Sequence, residues 1–372
     1  SPMLTALQYV PRPGATPDNP DAAVGAYAFS ATLAIQDITG LATSGITTAH
    51  VAKRLENSTE SRAYLFALTS RTAPRPVTEL GFPELTDDDL LDIDAWVFIS
   101  LPLLEDLQVI EANVTLDASI APLPGEEVPR APWFGAFSLI DALSNALSRP
   151  IRHLWVTHPE GEFTPPGAVE AGYAPAFRED QAVFEAAAVE TLAGGSGDGL
   201  SIQVVEGPGF AGFTAGVGSA SADAEQFAAL LTAASRDYPR GELALEPIVW
   251  DLQRITDAGA RLQDRGGNQL TGICRASLPG QNDRIVGICE AVHYTSDSDA
   301  VCELGLIYVL PEFRGRGIGE ALIRETVSAA RKIWEDLETV YCSYPAGSAP
   351  AESIMRALNA AVVSSTTAWQ RC

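Results

Sequence analysis

The stretch Pro311–Leu322, PEFRGRGIGEAL, sets Gly315, Gly317 and Gly319 among Arg314 and Arg316. Glycine is a poor helix former and neighbouring arginines repel, so the combination asks for an anion. Residues without side chains let successive backbone N–H groups close on a phosphate, and a helix opening near Gly319 adds its positive end. The two guanidinium groups then balance the charge. Spacing argues against two common phosphate sites. A dinucleotide fingerprint reads G-x-G-x-x-G, and here the third glycine arrives one residue early. A P-loop needs Lys-Ser or Lys-Thr after its last glycine, and neither follows. What remains is R-x-x-G-x-G at Arg314, Gly317 and Gly319, set between a strand and a helix. The structural alternative is a tight turn that binds nothing.

The elements around this loop follow from periodicity. Ala224–Pro239 has helical spacing at Phe227, Leu230, Leu231 and Ala234, and Asp251 is placed to cap a second helix. Arg284–Thr295 and Ala300–Leu310 read as strands divided by the turn-rich Ser296–Asp299. A long helix follows the glycines, with Leu322, Ile323, Val327, Ala330, Ile333, Trp334 and Leu337 as its apolar face. A strand near Thr339–Tyr344, a helix over Ala351–Ala360 and a last strand to Trp369 complete this half. The first half repeats the order: a strand pair over Ala95–Leu123, an amphipathic helix over Phe134–Ser148 and a strand over Ile151–His158. The acidic run Thr86–Trp96 (TDDDLLDIDAW) reads as a solvated turn and helix start. The glycine-rich Leu192–Ser201 divides the halves, so the expected domains are 1–195 and 196–372.

Composition bounds the function. The chain has 372 residues, enough for two or three domains, with ordinary globular hydrophobic content. Its net charge of −24 is uneven, −17 over residues 1–200 and −7 over residues 201–372. Such a surface repels phosphate backbones, which speaks against a nucleic-acid partner, and it concentrates cations. A solubility surface is the plainer reading of the same charge. No apolar run is long enough for a membrane span, and the first residues lack the pattern of a secretory signal. The five cysteines lie in the second half without C-x-x-C spacing. Reduced thiols, a cytoplasmic location and no metal are therefore expected.

IYVLPEFRGRGIGEALI, Ile307–Ile323, resembles the acetyl-CoA-binding segment of the Gcn5-related N-acetyltransferases (GNAT). It has an apolar strand, Val-x-Pro, two residues, then R-G-x-G-I-G and a helix. The likeness extends over the second half, whose Leu245–Ile255, Ser348–Val362 and Thr366–Arg371 are similar to the second half of tandem acetyltransferases of actinobacteria. It implies an α+β fold of two tandem GNAT-like domains, each a twisted mixed, mostly antiparallel sheet flanked by helices. It also implies acetyl-CoA as co-substrate. The backbone of Tyr308, Val309 and Leu310 would hold the pantetheine and thioester, and the amides of Arg314, Gly315, Arg316, Gly317, Ile318 and Gly319 the pyrophosphate.

In the first half, Arg130, Trp133 and Gly135 align with Arg314, Gly317 and Gly319. Trp133 would fill the phosphate space and Pro132 removes a donor. The first domain is therefore expected to be degenerate, a support for the second.

Acetyl transfer to an amine needs a base, an oxyanion donor and a proton for the leaving thiolate. Glu303, eleven residues before Arg314, sits at the spacing of the catalytic glutamate of the histone-acetylating members. On regular alternation it shares an apolar face with Gly305, Ile307 and Val309. Glu290 and His293 are alternative bases, and a backbone N–H near Val309 is the expected oxyanion donor. Many members place a tyrosine acid where Met355 stands, so Tyr341 and Tyr344 are the substitutes. Where the family closes on Leu-Gly-Phe, this chain has Leu358-Asn359-Ala360, and Asn359 takes the glycine's left-handed place.

The expected function is N-acetyl transfer from acetyl-CoA to a primary amine. The acidic balance, with Glu242, Glu246 and Asp251, points to a cationic small molecule. The alternative is a non-catalytic acyl-CoA-binding regulatory or scaffold protein; a nucleotide-binding oxidoreductase fits the glycine phase less well. Pairing of the duplicated halves favours a monomer over a dimer.

Overall fold

The computed structural model describes residues 3–43, 45, 47–123, 125–195, 197–207, 219–281 and 283–372. The chain forms two compact units, one of residues 1–179, 240–246 and 363–372, the other of 180–239 and 247–362.

The first unit contains β1 (Thr5–Gln8), α1 (Ala22–Thr39), α2 (Thr48–Leu55), β2 (Ser61–Thr69), β3 (Ile93–Pro102), β4 (Val109–Leu116), α3 (Ala131–Leu147) and β5 (Ile151–His158). The strand β6 (Ala174–Glu185) begins in this unit and ends in the second. The second unit continues with β7 (Leu200–Glu206), α4 (Ser219–Asp237), α5 (Leu252–Asp264), β8 (Gly267–Ala276), β9 (Arg284–Tyr294), β10 (Val301–Val309), α6 (Ile318–Ile333), β11 (Thr339–Pro345) and α7 (Ala349–Ala357). The last strand, β12 (Ala361–Arg371), has residues 363–371 in the first unit.

The strand orders are β1-β2-β3-β4-β5-β12 in the first unit and β7-β8-β9-β10-β11-β6 in the second. β12 runs antiparallel to β5, from Ser365 opposite His158 to Arg371 opposite Arg152. Each sheet therefore receives its sixth strand from a distant part of the sequence. β4–β5 and β10–β11 are parallel, whereas β1–β2, β2–β3, β3–β4, β7–β8, β8–β9 and β9–β10 are antiparallel. The fold is α+β, with mixed and mostly antiparallel sheets flanked by helices.

Both faces of each sheet are covered. In the first unit Tyr27, Leu65, Trp96 and Phe98 pack on the α1 side, while Val97, Ile99, Phe137, Ile140 and Leu154 pack beneath α3. In the second, Phe227, Leu231, Ile255, Ile288 and Tyr308 form the α4–α5 side, and Val286, Cys289, Leu304, Leu322 and Val327 the α6 side. All five cysteines are free thiols.

Local signals explain most element ends. Asp251 accepts the Arg254 N–H at 2.8 Å and caps α5. After α7, Asn359 takes φ +52° and Ala360 N–H reaches the Met355 carbonyl at 2.9 Å, closing the helix with a left-handed residue. α6 is shorter than its apolar periodicity predicts, because Trp334 leaves helical geometry and Ile333 is exposed.

The acidic run also departs from expectation. Asp87–Asp89 form a single 3-10 turn and β3 starts at Ile93. Asp89 is fully buried rather than solvated. Its carboxylate pairs with Arg75 and Arg71, the latter at 3.0 Å, and accepts the Thr86 N–H at 2.8 Å. Burial alone would raise its pKa, but the Arg75 hydrogen bond, with help from Thr86, holds it at about 2.

Candidate active site

The parallel ladder between β10 and β11 runs from Val301 opposite Thr339 to Leu304 opposite Cys342. β10 continues to Val309 and β11 to Pro345, so the strands part beyond Leu304. At the same point the β10–β9 register shifts: Leu304 faces Ala291, but Ile307 faces Cys289. One extra residue makes a bulge, with Gly305 and Leu306 opposite the single residue Glu290, which bends the strand and re-aims its side chains.

The bulge overturns one expectation. Regular alternation predicts Glu303 on one face with Ile307 and Val309. In the observed register Glu303 opposes Val292 and Tyr308 opposes Ile288, so Glu303 shares a face with Tyr308. A sequence period of two does not survive an inserted residue.

On that face, beneath α4 and α5, lies a cavity of about 410 Å³. Phe227, Leu231, Trp250, Ile255 and Leu306 make its walls apolar, and Glu290 of β9 lines it as well. An ideal Cβ on Gly305 would lie 3.3 Å from Glu290 Oε2, so the carboxylate sits against the bulge. Desolvation pushes the Glu290 carboxyl up to about 7, although the Leu306 N–H donates to it and pulls the other way. A carboxylate poised near neutral pH in an apolar chamber is suited to taking and releasing protons.

Glu303 is exposed on the same face, and its pKa is raised by partial burial and then by Asp297. Tyr341 pairs with Glu303 across the ladder. His293 lies elsewhere: its Nδ1 meets the Val301 carbonyl at 3.1 Å and its ring packs on Trp334, with centroids 5.7 Å apart. Asp251 is engaged at the α5 cap, and Glu242 and Glu246 belong to the first unit. Glu246 Oε2 accepts the Asp106 N–H there at 3.0 Å.

On the other side of the sheet, the parted strands lead to the glycine loop. Leu310 N–H donates to the Val286 carbonyl at 2.9 Å, so antiparallel alternation turns the Val309 N–H away from β9 and toward the gap. Gly315 and Gly317 have φ of +80° and +74°, which side-chain-bearing residues seldom adopt, and Gly317 is the N-cap of α6. A Cβ on Gly319 would meet nothing within 4 Å, leaving open space at the helix mouth. Arg314 is anchored by Nε to the Val309 carbonyl at 2.9 Å, and Arg316 lies over the Phe313 ring at 5.2 Å. The loop thus has the room, the backbone donors and the positive helix end that a pyrophosphate requires.

Tyr344 is buried on the α6 side of β11, beyond the paired stretch. Met355 fills the place of the expected tyrosine, and its sulfur accepts the Cys342 thiol at 3.5 Å. Burial pushes that thiol up to about 12, which makes it a poor nucleophile.

The spacing that favours Glu303 does not register the bulge, which sets Glu290 against Gly305 and leaves Glu303 exposed. A useful signal was available. Glu290 interrupts the apolar run of Ile285–Ala291, and a carboxylate in a central strand needs a reason.

Residues 280–351 match the acetyltransferase (GNAT) domain. Among solved structures, the chain is similar over 99% of its length to 98% of a tandem GNAT protein from the clavulanic acid biosynthesis pathway, with TM-score 0.62 and 15% identity. It is likewise similar over 99% of its length to 95% of a GCN5-related N-acetyltransferase from Sphaerobacter thermophilus, with TM-score 0.58 and 12% identity. No curated protein matches by sequence. Among the described residues, no helix is long and apolar enough to cross a membrane.

Proposed function

We propose, for a chain of the GNAT superfamily and tandem-domain type, that the second unit transfers an acetyl group from acetyl-CoA to a primary amine. The observation that carries this reading is Glu290, held near neutral pKa at the bulge where β10 leaves β11. Acetyl-CoA supplies the activated thioester. The amides of Arg314–Gly319 hold its pyrophosphate, and the backbone of Tyr308–Leu310 its pantetheine.

The acceptor enters from the α4–α5 side. An alkyl ammonium has a pKa near ~10 and no lone pair for attack. Glu290 takes the ammonium proton and releases it to solvent, the freed nitrogen bonds to the acyl carbon, the carbon–sulfur bond breaks, and the second proton shed by that nitrogen passes to Glu290. The Val309 N–H steadies the carbonyl oxygen as charge develops on it. Tyr344 returns a proton to the departing sulfur, with Tyr341 the second candidate. Glu303, exposed on the same face, draws cationic acceptors rather than serving as the base. The apolar walls favour a small amine with an apolar body.

The first unit is the degenerate partner. β4 pairs with β5 over four residues, as β10 does with β11, and Glu111 occupies the third rung there as Glu303 does in the second unit. Counting back along β3 from Ser100, the partner of Glu111, places Phe98 where Glu290 stands beside Val292. The position of the base is therefore aromatic.

Calorimetric titration of acetyl-CoA, followed by an amine screen on wild type and Glu290→Gln, tests the proposal. One site per chain and turnover that depends on Glu290 are expected. Tight binding with no turnover of any amine would instead favour a regulatory acyl-CoA-binding protein, the reading that Met355 at the tyrosine position supports.

A further inference from the structure

A second cavity lies in the first unit, among its described residues. It measures about 880 Å³, against about 410 Å³ at Glu290. Its origin is the parting of β4 from β5: the ladder ends with Ala112 opposite Leu154. The cavity is lined by the residues that follow, Asn113–Leu116 on one strand and Trp155–His158 on the other. It is walled from both faces of the sheet, by Tyr27 and Ala34 of α1 and by Trp133 of α3. This volume falls within the ordinary range of small-molecule sites, about 300–1,000 Å³.

Two features define the chemistry it would accept. Trp133 is only 5% exposed, and its Nε1–H is buried with no hydrogen-bond partner among the described residues. A buried indole N–H normally finds an acceptor, and leaving it unpaired costs free energy. The second feature is charge. Glu111 is the inner carboxylate and is offset by Arg54, whose guanidinium stacks 4.2 Å over Phe98. Asp37 and Glu126 add negative charge at exposed positions of the lining. With Pro132 and Trp133 at the start of α3, nothing resembling the Gly315–Gly319 cradle is available for phosphate.

We propose that this cavity is a binding site for a non-anionic, aromatic-bodied small molecule whose carbonyl or amide oxygen accepts the Trp133 Nε1–H. The aromatic walls Tyr27, Phe98 and Trp155 cover its body. The site is independent of acetyl transfer in the second unit.

Nile red, an uncharged aromatic carbonyl compound, is a suitable probe for the full-length protein. Saturable fluorescence enhancement with one site per chain is expected. Ala34→Trp, which fills the cavity from α1, should abolish it. Trp133→Phe, which keeps the ring but removes the donor, should weaken it about 5- to 10-fold, the worth of one lost hydrogen bond. Acetyl-CoA should not displace the probe, and the anionic dye 1-anilinonaphthalene-8-sulfonate should compete poorly. Undiminished binding in Trp133→Phe, or displacement by acetyl-CoA, would overturn the assignment. The Trp133→Phe result decides the matter even where Ala34→Trp fails to fold, and neither variant touches the acetyl-CoA titration of the second unit.

Discussion

The two units share a frame and differ in what the frame exposes. In each, a four-residue parallel ladder carries a glutamate on its third rung and then opens. In the second unit the opening coincides with a bulge, a glycine loop and a carboxylate pushed up to about 7. In the first, β3–β4 pairing runs without a register shift from Ala95 to Ser100, an aromatic ring stands in the carboxylate's place, and Trp133 and Pro132 begin the helix. The parting of strands is therefore a property of the architecture, whereas the chemistry depends on a few residues placed around it. Both units keep the opening, and only the residues around it differ.

The largest effect expected from this contrast is at Glu290. Glu290→Gln should lower kcat by about 10²- to 10⁴-fold, the usual contribution of a general base, while acetyl-CoA affinity stays within error. Glu303→Gln should change kcat by less than about tenfold and act mainly on KM. The reverse pattern in steady-state kinetics would return the base to Glu303. The wild-type rate should climb with pH through about 7, as Glu290 loses its proton. Stability should move the opposite way. A carboxyl raised by folding favours the native state only while protonated, so its contribution fades as pH rises from the unfolded value toward 7. Relative to wild type, Glu290→Gln should therefore gain melting temperature at pH 8 and not at pH 4.

Next in size is the cradle. Gly319→Ala adds a methyl group to open space without a positive φ, so the protein should fold normally. Loss of at least tenfold in acetyl-CoA affinity by calorimetry would show that this space belongs to the ligand. Unchanged affinity would place the pyrophosphate elsewhere. Introducing glycines in the first unit, as Trp133→Gly, should not create a second acetyl-CoA site, because Pro132 still lacks its donor.

A structural difference gives the third prediction. Asp89→Asn leaves Arg75 buried without its counter-charge, a loss of about 3–5 kcal/mol, measurable as a lower urea midpoint. The folded pKa of about 2 lies below the unfolded value. The stabilisation is thus complete above about pH 4 and lost as pH falls through 2. The smallest effect is at the α5 cap, where Asp251→Ala should cost about 1 kcal/mol with little change in acetyl-CoA binding.

Much of the second unit was legible in the sequence. The glycine loop, the strands flanking the Ser296–Asp299 turn, the Asp251 cap and the left-handed Asn359 are local features, each set by a few adjacent residues. Glu303 and Glu290 show where that reading stops. Both are carboxylates on neighbouring strands, and only cross-strand register separates the exposed one from the one lining an apolar chamber.

The sequence by itself determined that the chain is a tandem α+β protein with a glycine-rich strand-to-helix loop before α6. It did so because glycine spacing, helical period and capping chemistry act over a few residues. The tertiary structure decided which glutamate is buried, that Asp89 is paired rather than solvated, and that β12 completes the sheet of the first unit. It also decided that Trp133, in the first turn of α3, lines a cavity of about 880 Å³. Burial, strand parting and electrostatic environment arise from residues far apart in the chain, and no local pattern encodes the sum of their contacts.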